Sequence, residues 1–94
     1  MRQIKINKPG SSDSLLVPNS SENYWILAVT GDIDSNTNLK LEASIDKKNW
    51  FFVKEQNQDV VFNSSGALLV AAGLYYRLNV GNFSSEILFS IKPN

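Results

Sequence analysis

The chain contains no cysteine and no histidine. Without cysteine there is neither a disulfide framework nor a thiolate ligand, which excludes a small stapled scaffold and a cysteine-based zinc site. Without histidine the commonest general base and the commonest transition-metal ligand are both missing, and most hydrolase constellations go with them. An excess of charge is lacking too, since nine Lys plus Arg balance nine Asp plus Glu. Phosphates and anionic bilayers both demand a basic surface, so neither nucleic acid nor membrane is expected as a partner. No run approaches the roughly 18 apolar residues that a membrane-spanning helix needs. The opening MRQIKINKPG has no apolar stretch of the secretory kind, so export by the ordinary route is not expected.

What remains is alternation. Leu39, Leu41, Ala43 and Ile45 alternate with Asn38, Lys40, Glu42 and Ser44, the period of two that turns one strand face to a core and the other to water. Asp46-Lys47-Lys48-Asn49 then supplies turn chemistry, and Trp50-Phe51-Phe52-Val53 restarts the apolar signal as the second arm of a hairpin. Similar short segments recur along the chain. Ile4 and Ile6 mark a short first strand or an extended arm within residues 1–12, and Leu15-Leu16-Val17 is a brief apolar run closed by Pro18. Tyr24 to Thr30 is apolar at successive positions, which predicts a central strand covered on both faces. Asp59 to Asn63, Ala67 to Ala72, Leu74 to Val80 and Glu86 to Lys92 complete the set, with Ala67 to Ala72 read as a strand or irregular edge between Gly66 and Gly73.

Seven or eight short strands with turn signals between them and no amphipathic helix predict an all-β chain. The expected fold is a single antiparallel β-sandwich, jelly-roll or Ig-like, spanning residues 1–94. Leu39, Leu41, Ala43, Ile45, Leu78, Val80, Ile87 and Phe89 are its expected core. Consecutive aromatics on a strand point to opposite faces, so one of each pair Tyr24/Trp25, Phe51/Phe52 and Tyr75/Tyr76 is expected inside.

Asp32, Asp34, Asn36 and Asn38 space oxygen ligands as a calcium loop begins, but the sixth position holds Thr37 instead of Gly and the twelfth Ala43 instead of Glu. A polar loop whose Asp and Asn cap backbone groups is the expectation, with no metal and no cofactor. Asp32 and Asp34 could serve as a catalytic carboxylate pair only if an apolar pocket raised one pKa. No catalytic residue is therefore assigned, and the chain is expected not to be an enzyme.

Ser44-Ile45-Asp46-Lys47-Lys48-Asn49-Trp50 resembles the S-x-D-G-x-x-W hairpin turn of discoidin-type sugar-binding domains, and more loosely the Asp-box turn of sialidases. Lys47 stands where those turns place Gly. Over a longer span, Gly31-Asp32, Leu41 to Asp46, Trp50 to Val53 and Ala72 to Leu78 resemble a pattern of small bacteriophage virion proteins. That resemblance covers about half the chain, and it implies a β-sandwich sitting on a capsid, fibre or tail. It implies a location in the virion and, as partner, the major capsid protein or another virion protein, engaged by multiple copies or a homo-oligomer. Tyr75 and Arg77 fall on the outer face of their strand, and both residue types are enriched at interface hot spots. They are the expected contact residues, and alanine at either is expected to leave folding intact, within about 0.5 kcal/mol. A carbohydrate-binding module or a host-adhesion domain of fibre or tail is the alternative, with an outward aromatic as the sugar platform.

Overall fold

The computed structural model describes residues 2–19 and 24–94. Within them the chain forms β1 (Arg2–Ile6), β2 (Gly10–Ser11), β3 (Leu15–Leu16), β4 (Tyr24–Gly31), β5 (Leu39–Ser44), β6 (Phe51–Phe52), β7 (Lys54–Glu55), β8 (Gln58–Asp59), β9 (Val61–Phe62), β10 (Gly66–Ala71), β11 (Tyr75–Val80) and β12 (Ile87–Pro93). Among the described residues the only helical element is a 3-10 turn at Ser35–Thr37. One sheet has the order β1-β12-β4-β10. In the other, β11 and β5 lie side by side, with β2 and β3 along the free side of β11 and β6 and β9 along the free side of β5.

Both short pairs are single edge strands with an interruption. Between β2 and β3 the Ser12 N–H donates to the Leu78 carbonyl at 2.8 Å, and the Ser12 hydroxyl accepts the Leu78 N–H at 3.0 Å, so a side chain fills in for a ladder bond. Between β6 and β9 the hairpin β7-β8 loops out, its neck closed by the Val60 N–H on the Val53 carbonyl at 2.9 Å. Counted this way there are eight strands in two sheets, ordered 1-8-3-6 and 2-7-4-5. First pairs with eighth, second with seventh, third with sixth and fourth with fifth, so the chain is one long antiparallel ribbon folded at its middle and rolled up. That is the order of a jelly roll, with its two Greek keys. An immunoglobulin-like sandwich, the other expectation, would instead set the second strand beside the fifth. The tip of the ribbon is the Asp46 to Asn49 turn.

The inner faces of the two sheets meet in one apolar cluster. Leu27, Val29 and Phe89 from the first sheet and Leu39, Leu41 and Leu78 from the second have no exposed surface, and Ile87, Ala43 and Val80 are within 1% of that. Trp25 and Tyr76 are the inward members of their aromatic pairs, as alternation requires. The Tyr76 hydroxyl donates to the Ala71 carbonyl at 3.1 Å, and burial raises its pKa, so it remains a donor. Residues 2–6 belong to the sheet: β1 pairs with β12 from Arg2↔Ile91 to Ile6↔Ile87, which makes them a strand and not a loose arm.

Three expectations need correction. Ile45 is 77% exposed, because β5 ends at Ser44 and the turn begins one residue before the alternation stops. Phe51 and Phe52 are both exposed, at 50% and 38%, because β6 is a two-residue piece of an edge strand that the hairpin excursion then interrupts. In β4, Ile26 and Ala28 are only half-buried, so among the described residues this apolar run has a packed layer on its inner face alone.

Gly31, at the end of β4, has φ +143°, and a Cβ there would stand 2.8 Å from the Glu86 carbonyl oxygen. That oxygen belongs to backbone held next to Ile87, which pairs with Gly31 in the β4-β12 ladder. Gly31→Ala is therefore expected to cost about 1–3 kcal/mol, read as a drop of several degrees in melting temperature.

Candidate functional site

The ribbon tip is built by two side chains. The Ser44 hydroxyl accepts the N–H groups of Asp46 (3.2 Å) and Lys47 (2.9 Å). The Asp46 carboxylate accepts the N–H groups of Lys48 and Asn49, both at 2.9 Å, together with the Ser44 hydroxyl and the Asn49 amide. Every orphan donor of the turn thus finds an oxygen, which is why Ser and Asp stand two residues apart. Lys47 sits at φ +64°, where glycine would be free of strain, as its place in the turn motif foretold.

The backbone N–H groups of Asn49 and Lys48 hold the Asp46 carboxyl well below the ordinary value of 3.8. A carboxylate with a depressed folded pKa binds fewer protons in the native state, so its stabilisation is complete above its unfolded pKa and is lost as pH falls through the folded one. The difference in melting temperature between the wild type and Asp46→Asn should accordingly be full at pH 6 and shrink once the pH drops below about 4. A difference independent of pH would show that the carboxylate charge has no part in the turn.

The tip positions an outward face on the second sheet. β11 lays Tyr75, Arg77 and Asn79 opposite Ser44, Glu42 and Lys40 of β5, and β5 in turn sets Glu42 opposite Phe52 and Lys40 opposite Val61. The Arg77 Nε donates to Glu42 Oε2 at 2.8 Å, and the guanidinium lies 4.0 Å from the centre of the Trp50 ring. Lys47 Nζ stands 5.6 Å above the Tyr75 ring and Lys40 Nζ 5.2 Å above Phe52. Three aromatics on one face therefore each carry a cation, an arrangement that holds flat rings and charge in fixed register. Lys40 also reaches Asp59 on the excursion hairpin at 3.6 Å.

Tyr75 and Arg77 do share the outer face, flanking one another along β11. Their circumstances differ. Tyr75 is half-buried with the Lys47 ammonium above its ring, whereas Arg77 is tied to Glu42, a carboxylate with only 7% of its surface exposed. Arg77 is thus a structural partner as well as a surface residue, and the expectation that its removal spares the fold does not suit this geometry. Sequence reasoning did not join Glu42, Trp50, Phe52, Lys40 and Lys47 to Tyr75 and Arg77, although it set Lys40 and Glu42 on the water-facing side of their strand. The first three could have been found by counting back from the turn, which fixes the β5-β6 register. Their union with Tyr75 and Arg77 depends on the β5-β11 pairing, which nothing local announces.

Beside this face Ser12, Asp13, Ser14, Lys47, Trp50 and Arg77 line an open depression of about 340 Å³. The loop of Asp32 to Asn38 has another use. The Asp34 carboxylate caps the 3-10 turn through the N–H groups of Asn36 (2.9 Å) and Thr37 (3.2 Å), and the Thr37 hydroxyl accepts the Asp34 N–H in return. Asn38 closes the turn at φ +50°. Among the described residues no three His, Cys, Asp or Glu side chains gather closely enough to hold a metal ion.

The chain matches no family model, no curated protein and no solved structure.

Proposed function

We propose that this is a non-enzymatic virion structural protein that decorates or cements a bacteriophage capsid through protein-protein contacts. The observation that carries the reading is the outer face of the second sheet, where Tyr75, Arg77, Trp50 and Phe52 meet. Tyr, Trp and Arg are the side chains over-represented where a few residues supply most of an interface's energy. The jelly-roll strand order agrees with it, since capsid domains use that architecture, as lectins also do. Fold alone does not choose between them. The protein would wedge between shell subunits, with many copies or a homo-oligomer following the symmetry of the shell, and the buried contact would add to shell stability by mass action.

The alternative, a carbohydrate-binding or host-adhesion domain, draws on the depression beside Trp50, whose hydroxyls and carboxylate could bond a sugar. One face of the Trp50 ring is already occupied by the Arg77 guanidinium at 4.0 Å, which leaves less ring for a pyranose to stack on. The two readings separate experimentally. Purified protein is offered shells assembled from a bacteriophage major capsid protein, the proposed partner, and, in parallel, a glycan panel. Retention on shells with a silent panel supports the capsid reading; saturable glycan binding without shell retention supports the alternative.

A further inference from the structure

Two sheets have four edges, and three of them carry devices that prevent another strand from adding. β1 bears Arg2 and Lys5; the β2/β3 edge is broken at Ser12 to Ser14; the β6/β9 edge is interrupted by a hairpin bearing Lys54, Glu55 and Asp59. Charges and breaks of this kind keep edges apart. The fourth edge, β10, has none. Its six residues, GALLVA, are unbroken and uncharged, and no charged residue occurs from Val60 to Tyr76. β4 is its partner on one side only, and among the described residues no backbone group pairs with it on the other.

The side chains around that edge are also apolar on the outside. Ala67, Leu69 and Ala71 lie opposite Ala28, Ile26 and Tyr24 on the outer face of the first sheet, with Leu69 and Tyr24 each 55% exposed. This is the same face that leaves the β4 apolar run half uncovered. A bare edge flanked by such a face calls for a strand that is itself uncharged and apolar on both sides, and within this chain β10 is the segment that fits.

We propose that β10 pairs antiparallel with β10 of a second copy, joining two four-stranded sheets into one of eight. An antiparallel pair is self-complementary about a two-fold axis, so the contact closes at two copies. Centring the axis on Leu69 places Leu69 opposite its own counterpart, Ala67 opposite Ala71 and Leu68 opposite Val70. That register keeps outer residues with outer and inner with inner. With zero net charge on the chain and none on the strand, no repulsion opposes the approach. The contact uses the first sheet and leaves the Tyr75 and Arg77 face free, so it holds or fails separately from the capsid reading.

The test is the mass of the purified protein by sedimentation between about 10 and 100 μM, the range in which a micromolar contact would be filled. Wild type is expected as a dimer. Leu69→Lys, which sets like charges face to face on the axis, should raise the dissociation constant at least about tenfold, with the β-sheet circular dichroism unchanged. Ala67→Lys is the second variant should Leu69→Lys fold poorly. Because the chain has no cysteine, Leu69→Cys should cross-link to itself under mild oxidation, while Ile45→Cys, on the far turn, should not. A monomer at 100 μM, a dimer that survives both lysine variants, or open-ended fibres would each overturn the proposal. Failure of Leu69→Cys to cross-link in a chain that still dimerises would place the contact elsewhere and overturn it too.

Discussion

Phe89→Ala is expected to lower stability by about 3–5 kcal/mol, which in a domain of this size means a fall in melting temperature of roughly 12–40 °C. Phe89 has no exposed surface and sits in β12 between Ile4 of β1 and Val29 of β4, at the middle of the first sheet. Removing the ring forfeits its transfer free energy and leaves a cavity that two flanking strands, pinned by their ladders, cannot close. Small domains bury a limited fraction of their surface, so their total stability sits near the low end of about 5–15 kcal/mol. A single deletion here consumes much of it. Phe51→Ala, on a ring half in water, should change stability by only about 0.5 kcal/mol. Equal effects at the two positions in a denaturant titration would contradict the assignment of the core.

Arg77→Ala is expected to destabilise by about 2–4 kcal/mol, although Arg77 lies on the outer face. The reason is Glu42, which keeps 7% of its surface exposed and has Arg77 at 2.8 Å as its charged partner. Truncating the arginine strands that carboxylate where water reaches it poorly, and breaking a buried pair from one side costs far more than the pair contributes. The loss falls below the figure of about 3–5 kcal/mol for fully buried pairs because the Arg77 side chain keeps 24% exposure. Replacing both residues by leucine should recover most of the loss, since no unpaired charge remains. A single Arg77→Ala variant that melts with the wild type would show the pair to be superficial.

The legible parts of this fold were those written in neighbouring residues. The period of two from Leu39 to Ala43 gave inward side chains that are fully buried, and Ser44 with Asp46 specified the turn that lies at the tip of the rolled ribbon. Ile45 was misplaced because its alternation continues after the Ser44 hydroxyl has already turned the backbone. Phe51 and Phe52 misled for a related reason: aromatic residues signal a strand, yet an edge strand broken by an excursion buries neither. The apolar run of β4 gave a true account of its chemistry, but among the described residues one face of that strand meets no other layer. Tyr75 and Arg77 were correctly placed on an outer face by alternation. The bond from Arg77 to Glu42 joins residues 35 positions apart, and only the pairing of β11 with β5 brings them together.

The most direct measurement of the central claim, that this protein acts by contact through the outer face of the second sheet, compares shell binding by the wild type and Tyr75→Ala. Tyr75 is the better probe because it lies on that face and, unlike Arg77, is not ion-paired to a buried carboxylate. Both proteins would be titrated onto shells assembled from the proposed partner, a bacteriophage major capsid protein, with thermal melts run in parallel to show that both are folded. The account predicts saturable binding by the wild type and a loss of about thirtyfold in affinity for Tyr75→Ala, the effect of about 2 kcal/mol at a central anchor. Equal binding by the two folded proteins, or no binding by either alongside saturable uptake of a glycan, would contradict it.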